Sequence, residues 1–296
     1  MEYKLNLLPS PNDNRDFIFK KENIVRTETT YPNKLDLRKE LMPVRNQGVQ
    51  GTCYAQSACC MKEWQEKQNY EFNEYFSPQF FYNLRSNKYD NDNSNDEGMF
   101  GRDVMKLLKT YGICAERMYP YGLIEHKDNI SEEIYKAAKI NIIHAYAKIN
   151  TINDLKMSLY LNGPALVGFP VYNYTGQMWK QKNNETFKGG HAMTIVGYNE
   201  EGFLIRNSWG ESWNDKGYTI YYYEDWGAHW EIWSCVDKKD IIPVEDKEND
   251  KDKEKDKEKD NEEQRDQVDE QEDDEEDTNV EDVQESFCEK LYKHFF

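Results

Sequence analysis

The sequence predicts an α+β fold, with helices in the first half of its compact region and strands in the second. Apolar residues recur at helical spacing from Cys53 to about Lys67, from Arg102 to Tyr111 and after Thr151. Beyond Pro164 the chain changes to short segments rich in β-branched and aromatic residues, separated by Gly, Asn and Asp turns. Because helices and strands are segregated along the chain, we expect a helical lobe and a β-rich lobe with a cleft between them.

Each predicted helix has an identifiable start or stop. In the helix over 102–111, apolar residues recur at spacings of three and four, and Gly112 ends the pattern. Another helix is expected to begin at Ser131, and a further one follows Thr151, whose hydroxyl can cap the backbone near Asp154. The predicted strands cover residues 165–172, 191–198, 202–206, 218–223 and 230–236.

Acidic residues are concentrated near the C-terminus of the 296-residue chain. Residues 244–285 hold 23 acidic and 7 basic side chains, so this segment carries most of the net charge of −18 and is expected to be disordered. The predicted organisation is an N-terminal arm or short propeptide (1–34), a compact domain (35–243), this acidic tail and a short amphipathic helix (286–296). That last helix could dock on its own protein, or it could bind a partner or a membrane surface.

Composition argues against several classes of function. Outside the acidic tail the chain carries 33 acidic and 31 basic side chains, which is not the basic footprint of a nucleic-acid-binding protein. The sequence contains no run of about 18 apolar residues that would predict a transmembrane segment, and its first residues lack the apolar core of a secretory signal. No Cys/His group has zinc-ligand spacing, and neither a metal nor a cofactor is predicted. The six cysteines show no paired framework, so we expect reduced thiols in a cytoplasmic or virion setting. We also expect the protein to be a monomer.

The stretch from residue 45 to 58 carries the first candidate catalytic residue. Gly48 and Gly51 allow a tight turn, and Cys53 follows at the predicted start of a helix. A thiol in that place faces unpaired backbone N–H groups and the positive end of the helix dipole, which favour the nucleophilic thiolate. A lone cysteine is more often a small buried hydrophobe, so its interpretation depends on partners elsewhere in the chain.

Two later motifs supply those partners. His191 stands near the start of an apolar strand, and Asn207 ends the next strand, directly before Ser-Trp-Gly. Either residue alone would be interpreted as a structural residue. His191 lies 138 positions after Cys53, and Asn207 lies 16 positions further on. This order and spacing are typical of the Cys, His and Asn of papain and the cathepsins.

The sequence therefore resembles the papain-like cysteine peptidases over residues 35–243, with a cathepsin-B-like Gly-Gly-His-Ala motif at 189–192. The resemblance implies a two-lobed fold with the nucleophile on the long helix of the left lobe and the other catalytic residues on the right lobe. It implies that Cys53 attacks a peptide carbonyl of a polypeptide substrate and that His191 forms an ion pair with it. Asn207 would orient the His191 ring, and Gln47 would donate its amide to the oxyanion.

The same resemblance implies a substrate-binding groove. Gly98 would supply backbone hydrogen bonds to the unprimed side of the substrate. Small residues at Gly168, Gly190 and Ala192 would line a roomy apolar specificity pocket. Two tryptophans complete the set: Trp209 would shield the His–Asn hydrogen bond and Trp213 would border the primed side.

Departures from the family pattern favour its bacterial and large-virus branch. Gln50 stands where the family usually has a disulfide-forming cysteine, Tyr54 replaces a tryptophan, and Gln56 replaces an aromatic residue. No His-His pair lies between Cys53 and Gly98, which gives no sign of an occluding loop and favours an endopeptidase. Two alternatives stay open: a catalytically inactive binding protein on the same fold, and a thiol acyltransferase or transpeptidase.

Overall fold

A computed structural model describes residues 3–20, 30–70, 72–85, 96–122 and 124–238 of the chain. The predictions for the acidic tail and for the C-terminal helix concern residues outside these ranges. The helices of the described part are α1 (Cys53–Tyr70), α2 (Pro78–Asn83), α3 (Gly101–Thr110), α4 (Glu132–Lys139) and α5 (Ile152–Asn162).

The strands pair in antiparallel fashion into a single sheet with the order β2-β7-β3-β4-β5-β6, and β1 adds to β4 off this path. The strands are β1 (Leu35–Asp36), β2 (Ile143–Lys148), β3 (Ala165–Val171), β4 (Gly189–Tyr198), β5 (Gly202–Arg206), β6 (Tyr218–Tyr222) and β7 (Glu231–Asp237). In this register Gly168 on β3 lies between Ala192 on β4 and Glu231 on β7.

Helix α1 connects the helical part of the molecule to the sheet. It packs against α2 and α3 on the helical side and against β3 and β4 on the sheet side. Ala55, Ala58 and Met61 are fully buried at this contact. Small side chains let the helix approach the sheet closely, and burial on both sides holds its N-terminus in place.

The structure confirms the α+β architecture and most of the predicted elements. Ser131 and Thr151 are the N-caps of α4 and α5, and each accepts a hydrogen bond from the backbone N–H three residues later. Strand β5 has the predicted bounds, and the other predicted strands differ by one or two residues at their ends. Strand β2 and the short helix α2 were not predicted. Within the described ranges, no helix combines the length and the apolar character needed to cross a bilayer.

Candidate active site

Cys53 is the first residue of α1, directly after the predicted turn. Gly48 adopts the left-handed conformation with φ of +63°, which turns the backbone toward the helix. The Cys53 thiol interacts with its own N–H, with the N–H of Tyr54 and with that of Ala192 at the start of β4. The helix N-terminus and the β4 backbone therefore meet at the sulfur atom, as the sequence predicted for a thiol at this point of the helix.

His191 lies directly before Ala192 and is fully buried. Its Nε2 is 2.7 Å from Oδ1 of Asn207. Asn207 Oδ1 also accepts a hydrogen bond from the backbone N–H of Ser208 at 2.7 Å, which fixes the orientation of the amide. Because Oδ1 can only accept, His191 Nε2 carries the proton, and Nδ1 keeps a free lone pair. No other described residue hydrogen-bonds Nδ1.

Two tryptophans support this pair. Trp209 stacks on the His191 ring with a centroid distance of 4.4 Å and covers it from one side. Trp213 packs edge-on against Trp209 at 5.7 Å, and its Nε1 donates to the carbonyl of Tyr174. Trp209 thus covers the imidazole, and Trp213 holds Trp209 in place from the far side.

Gln47 lies on the other side of the turn that precedes Cys53. Its Nε2 donates to the carbonyl of Gln50 at 2.9 Å, and its Oε1 accepts from Ser208 Oγ at 2.6 Å. Its backbone carbonyl accepts from the Tyr121 hydroxyl at 2.7 Å. The first two bonds fix the Gln47 side chain next to Ser208, the residue that follows Asn207, and the third holds the Gln47 backbone.

The N-terminal arm, residues 3–20, covers this site. Tyr3 stacks on Trp209 with a centroid distance of 4.1 Å and an interplanar angle of 6°. Asn6 forms a parallel bridge with Gly190, and the Leu7 N–H donates to the Gly190 carbonyl. Leu7 is only 1% exposed and belongs to the same buried cluster as Cys53 and Ala192.

Glycines allow the arm to approach so closely. A Cβ atom at Gly98 would lie 2.6 Å from the carbonyl oxygen of Asn6, and Gly98 also has φ of +82°. A Cβ atom at Gly190 would collide with the carbonyl of Leu7, and one at Gly168 would lie 3.4 Å from the Leu7 side chain. The glycines that the sequence predicted as substrate-binding residues therefore surround the arm.

Polar contacts on both sides of Leu7 also hold the arm. Ser10 donates to the buried carboxylate of Glu231 through its hydroxyl at 3.1 Å. Arg102 on α3 pairs with Asp16 through two hydrogen bonds of 2.6 Å each. Lys4 forms an ion pair of 2.8 Å with Asp96.

Burial of Cys53 and His191 disfavours the charged form of each side chain. It raises the pKa of the Cys53 thiol to about 11, against the smaller opposing effect of the backbone N–H groups. It lowers the pKa of His191 to about 4, although the bond to Asn207 opposes this change. At neutral pH the covered site therefore holds a thiol and a neutral imidazole. The thiolate–imidazolium pair stays a prediction: burial opposes both charges in the covered state, while the helix dipole favours the thiolate.

Sequence reasoning missed several residues around the site. Tyr121 and Glu231 carry no recognisable motif, and Ser208 lies in the Asn-Ser-Trp-Gly motif but was given no role of its own. The roles of all three residues depend on contacts across the fold. The contact of the arm with the groove was also missed. The alternation of Leu5, Asn6 and Leu7 is the one local signal that could have indicated an extended segment with a buried face.

Comparisons with known proteins show which family this chain is similar to. Residues 31–227 match the family model described as papain family cysteine protease. An uncharacterized peptidase C1-like protein of Acanthamoeba polyphaga mimivirus is 28% identical over 207 residues, which cover 62% of this chain and 67% of that protein. Cathepsin K of Mus musculus is 28% identical over 229 residues, or 73% of this chain and 66% of that protein.

A solved structure extends the comparison to the fold. The crystal structure of xylellain, a cysteine protease from Xylella fastidiosa, superimposes with a TM-score of 0.65 at 28% identity. The superposition covers 79% of this chain and 96% of that one. The two curated relatives, in contrast, are matched over only about two thirds of their own lengths.

Proposed function

The chain belongs to the papain family of cysteine proteases, and from this premise we propose that it hydrolyses peptide bonds with Cys53, His191, Asn207 and Gln47. One observation carries the proposal. The hydrogen bond from His191 Nε2 to Asn207 leaves Nδ1 unpaired, while the Cys53 thiol lies against the backbone amide of the residue after His191. Three motifs from distant parts of the sequence thus supply a nucleophile, a base and a residue that orients the base.

The proposed reaction proceeds in two steps. His191 Nδ1 accepts the Cys53 proton, and the sulfur attacks the peptide carbonyl to form a C–S bond. The imidazolium then gives that proton to the leaving amine as the C–N bond breaks. In the second step His191 takes a proton from water and the water oxygen attacks the thioester. The C–S bond then breaks, the imidazolium returns the proton to sulfur, and the Cys53 thiol is restored. Asn207 keeps Nε2 protonated and stabilises the imidazolium through both steps.

The negative oxygen of each tetrahedral intermediate needs donors. The backbone N–H of Cys53 at the helix N-terminus is one candidate. Gln47 is the other, because its amide nitrogen carries two hydrogens and the bond to Gln50 uses one of them. We further propose endopeptidase action, since residues 53–98 contain no histidine that could bind the C-terminus of a substrate.

We propose that the arm keeps this enzyme latent. Leu7 fills the space between Gly168, Gly190 and Ala192, which is the pocket proposed for a substrate side chain. While the arm is in place, a substrate cannot reach Cys53, and burial keeps the thiol and the imidazole neutral. Displacement of the arm would let water enter and the ion pair form.

The test compares peptide hydrolysis by the full chain and by a Leu7→Asp variant. A carboxylate cannot be buried unpaired in this apolar pocket, so Leu7→Asp should displace the arm and raise turnover of a fluorogenic peptide about tenfold or more. Leu8→Asp is the matched control, because Leu8 is 56% exposed and should leave the rate unchanged. Adding Cys53→Ala to the Leu7→Asp variant should abolish hydrolysis without changing the circular dichroism spectrum.

The alternatives give different results. If the Leu7→Asp variant produces acyl-transfer products with added amines in preference to hydrolysis, the protein is an acyltransferase or transpeptidase. If it neither turns over peptides nor reacts at Cys53 with a peptidyl vinyl sulfone, it is a binding protein and the proposed catalytic role is wrong. Equal turnover by the native chain and by both aspartate variants would refute the latency proposal alone.

A further inference from the structure

A small cavity lies next to the candidate active site and is lined in part by Asn207. Its volume is about 10 Å³, which is the space of one water molecule. Among the residues that line it are Arg45, Gln56 and Asn207. Each of these three contributes a buried polar atom with no hydrogen-bond partner in the described part of the chain: Arg45 Nε, Gln56 Oε1 and Asn207 Nδ2.

The orientation of Gln56 follows from Tyr121. The Tyr121 hydroxyl has one hydrogen, which it donates to the carbonyl of Gln47 at 2.7 Å. Toward Gln56 the same hydroxyl can therefore only accept, so Gln56 presents its NH₂ group to Tyr121. The Gln56 Oε1 atom, on the opposite side of the amide, is then the acceptor that faces the cavity.

The orientation of Asn207 follows in the same way. Its Oδ1 accepts from His191 Nε2 and from the Ser208 N–H, both of which donate. Its Nδ2 is therefore a donor that lacks a partner. Arg45 Nε and Asn207 Nδ2 are thus two donors without a hydrogen-bond partner in the described part of the chain, and Gln56 Oε1 is one such acceptor. A single water can accept both donors and donate to Gln56 Oε1, which gives it the three partners that buried waters usually have.

We propose that Gln56 is a positioning residue for the reaction, acting on Asn207 through one buried water in this cavity. The inference rests on the proposed peptidase function and deepens it. Through Tyr121, the same Gln56 side chain is tied to the backbone of Gln47, so one residue links the orienting asparagine to the oxyanion donor. An aromatic side chain, which the family usually has at this position, could not accept a hydrogen bond from such a water.

The charged groups around the cavity are themselves well bound. Arg45 pairs with Glu63 at 3.2 Å and with Glu116 at 2.9 Å. Arg206 donates to the carbonyls of Met42 and Pro43. The Cys60 thiol also lines the cavity, and burial raises its pKa to about 11, so it is neutral at the pH of the assay.

The test uses the full chain with Leu7→Asp, so that the cleft is open. Gln56→Met fills the same volume but removes the acceptor that faces the water. Asn207 then loses its anchor, and its bond to the imidazolium weakens. We expect kcat to fall about five- to tenfold with KM nearly unchanged, and the alkaline limb of the pH–rate profile to move to lower pH by about half a unit.

Ser57→Ala is the matched control, because Ser57 lies on the same helix and lines the same cavity. It should change neither kcat nor the pH profile. If Gln56→Met behaves like Ser57→Ala, Gln56 does not position Asn207 through the water. If the Leu7→Asp variant with native Gln56 does not hydrolyse peptides, the proposed peptidase function itself is wrong. That result is obtained before any Gln56 variant is compared.

A crystal structure of the full chain gives a readout that does not depend on activity. At a resolution that shows ordered waters, one water should lie within about 3.2 Å of Gln56 Oε1 and Asn207 Nδ2. In crystals of the Gln56→Met variant, the Asn207 amide should be disordered or rotated. An empty cavity in the native crystal, or an unchanged Asn207 in the variant, would overturn the inference.

Discussion

At the scale of single residues, the tautomer of His191 decides what the site can do. The Asn207 oxygen forces the proton onto Nε2, so the lone pair on Nδ1 is free to take a proton from sulfur. In the covered state this transfer is unfavourable, because burial raises the pKa of Cys53 and lowers that of His191. When the arm is displaced, moving the proton from sulfur to Nδ1 leaves the number of protons bound to the protein unchanged. We therefore expect this step to be insensitive to pH near neutrality.

The pKa of His191 predicts a pH dependence once the thiol is removed. In Cys53→Ala the imidazole has no partner to ionise with, and its pKa is about 4 when covered against about 6.5 when exposed. Between these two pKa values the unfolded, exposed imidazole binds more protons than the covered one. The contribution of the covered imidazole to the free energy of unfolding is therefore complete above about pH 6.5 and is lost as the pH falls toward 4. The expected loss is about 1.4 kcal/mol per pH unit in that window, up to about 3 kcal/mol.

The measurement is urea unfolding of Cys53→Ala at pH 7 and pH 4.5. The control is Cys53→Ala with His191→Gln, which keeps a donor for Asn207 but does not titrate. Every carboxylate and His229 titrate equally in both proteins, so only the difference between them reports His191. If the two proteins lose the same stability between these pH values, the covered imidazole does not have a lowered pKa.

At the scale of elements, α3 and β7 hold the middle of the arm. Gly101, the first residue of α3, donates its N–H to Glu231, and Ser10 of the arm donates to the same carboxylate. Arg102, the next residue of α3, reaches the arm with its side chain and binds Asp16 and the carbonyl of Pro11. The start of one helix and a buried carboxylate on one strand thus form the attachment point.

Removal of the Arg102 side chain should loosen the arm without touching the catalytic residues. Arg102→Leu loses charge-assisted hydrogen bonds to a nearly buried carboxylate, which contribute about 1.5–3 kcal/mol. We expect peptide hydrolysis by the full chain to rise about tenfold. Arg117→Leu is the control, since Arg117 pairs with Glu74 on the exposed surface and should leave the rate unchanged. Equal rates for both variants would show that Leu7 and Tyr3 hold the arm without Arg102.

Most elements could be predicted because local signals and tertiary contacts agree. Strand β5 and the caps of α4 and α5 were predicted where β-branched residues or capping hydroxyls occur. Strand β2 was missed because its alternating pattern contains two alanines and a histidine, which are not typical strand residues. Helix α2 was missed although Ser77 caps it and Pro78 opens it, since a dense aromatic segment hid those signals.

At the scale of the whole molecule, the candidate site and its cover differ in how far they could be predicted. Cys53, His191 and Asn207 each lie in a local motif, so the hypothesis that they form one site could be drawn from their order and spacing. The covering arm depends on the fit of Leu7 and Asn6 to glycines that are far apart in sequence. Such a fit exists only in three dimensions.

The helical part and the sheet are also joined by a buried ion pair. Lys62 on α1 is fully buried and donates to Asp237 at the end of β7 at 2.7 Å, while Glu66 lies 3.0 Å from its Nζ. The carboxylates raise the pKa of Lys62 although burial opposes this, so the ammonium stays charged. Asn69 donates to the other oxygen of Asp237 at 2.9 Å. These contacts join the helix that carries Cys53 to the strand that begins at Glu231.

Removal of this ammonium should therefore destabilise the whole described fold. Lys62→Met keeps the length of the side chain but removes the ammonium that pairs with the buried carboxylate of Asp237, which costs about 3–5 kcal/mol. We expect a single cooperative urea transition with a lower midpoint and an unchanged slope. Lys136→Met is the matched control, because Lys136 forms an exposed pair with Glu132 four residues earlier on α4 and should cost less than about 0.5 kcal/mol. If Lys62→Met unfolds at the native midpoint, the ion pair contributes nothing to holding α1 against β7, and apolar packing alone positions Cys53.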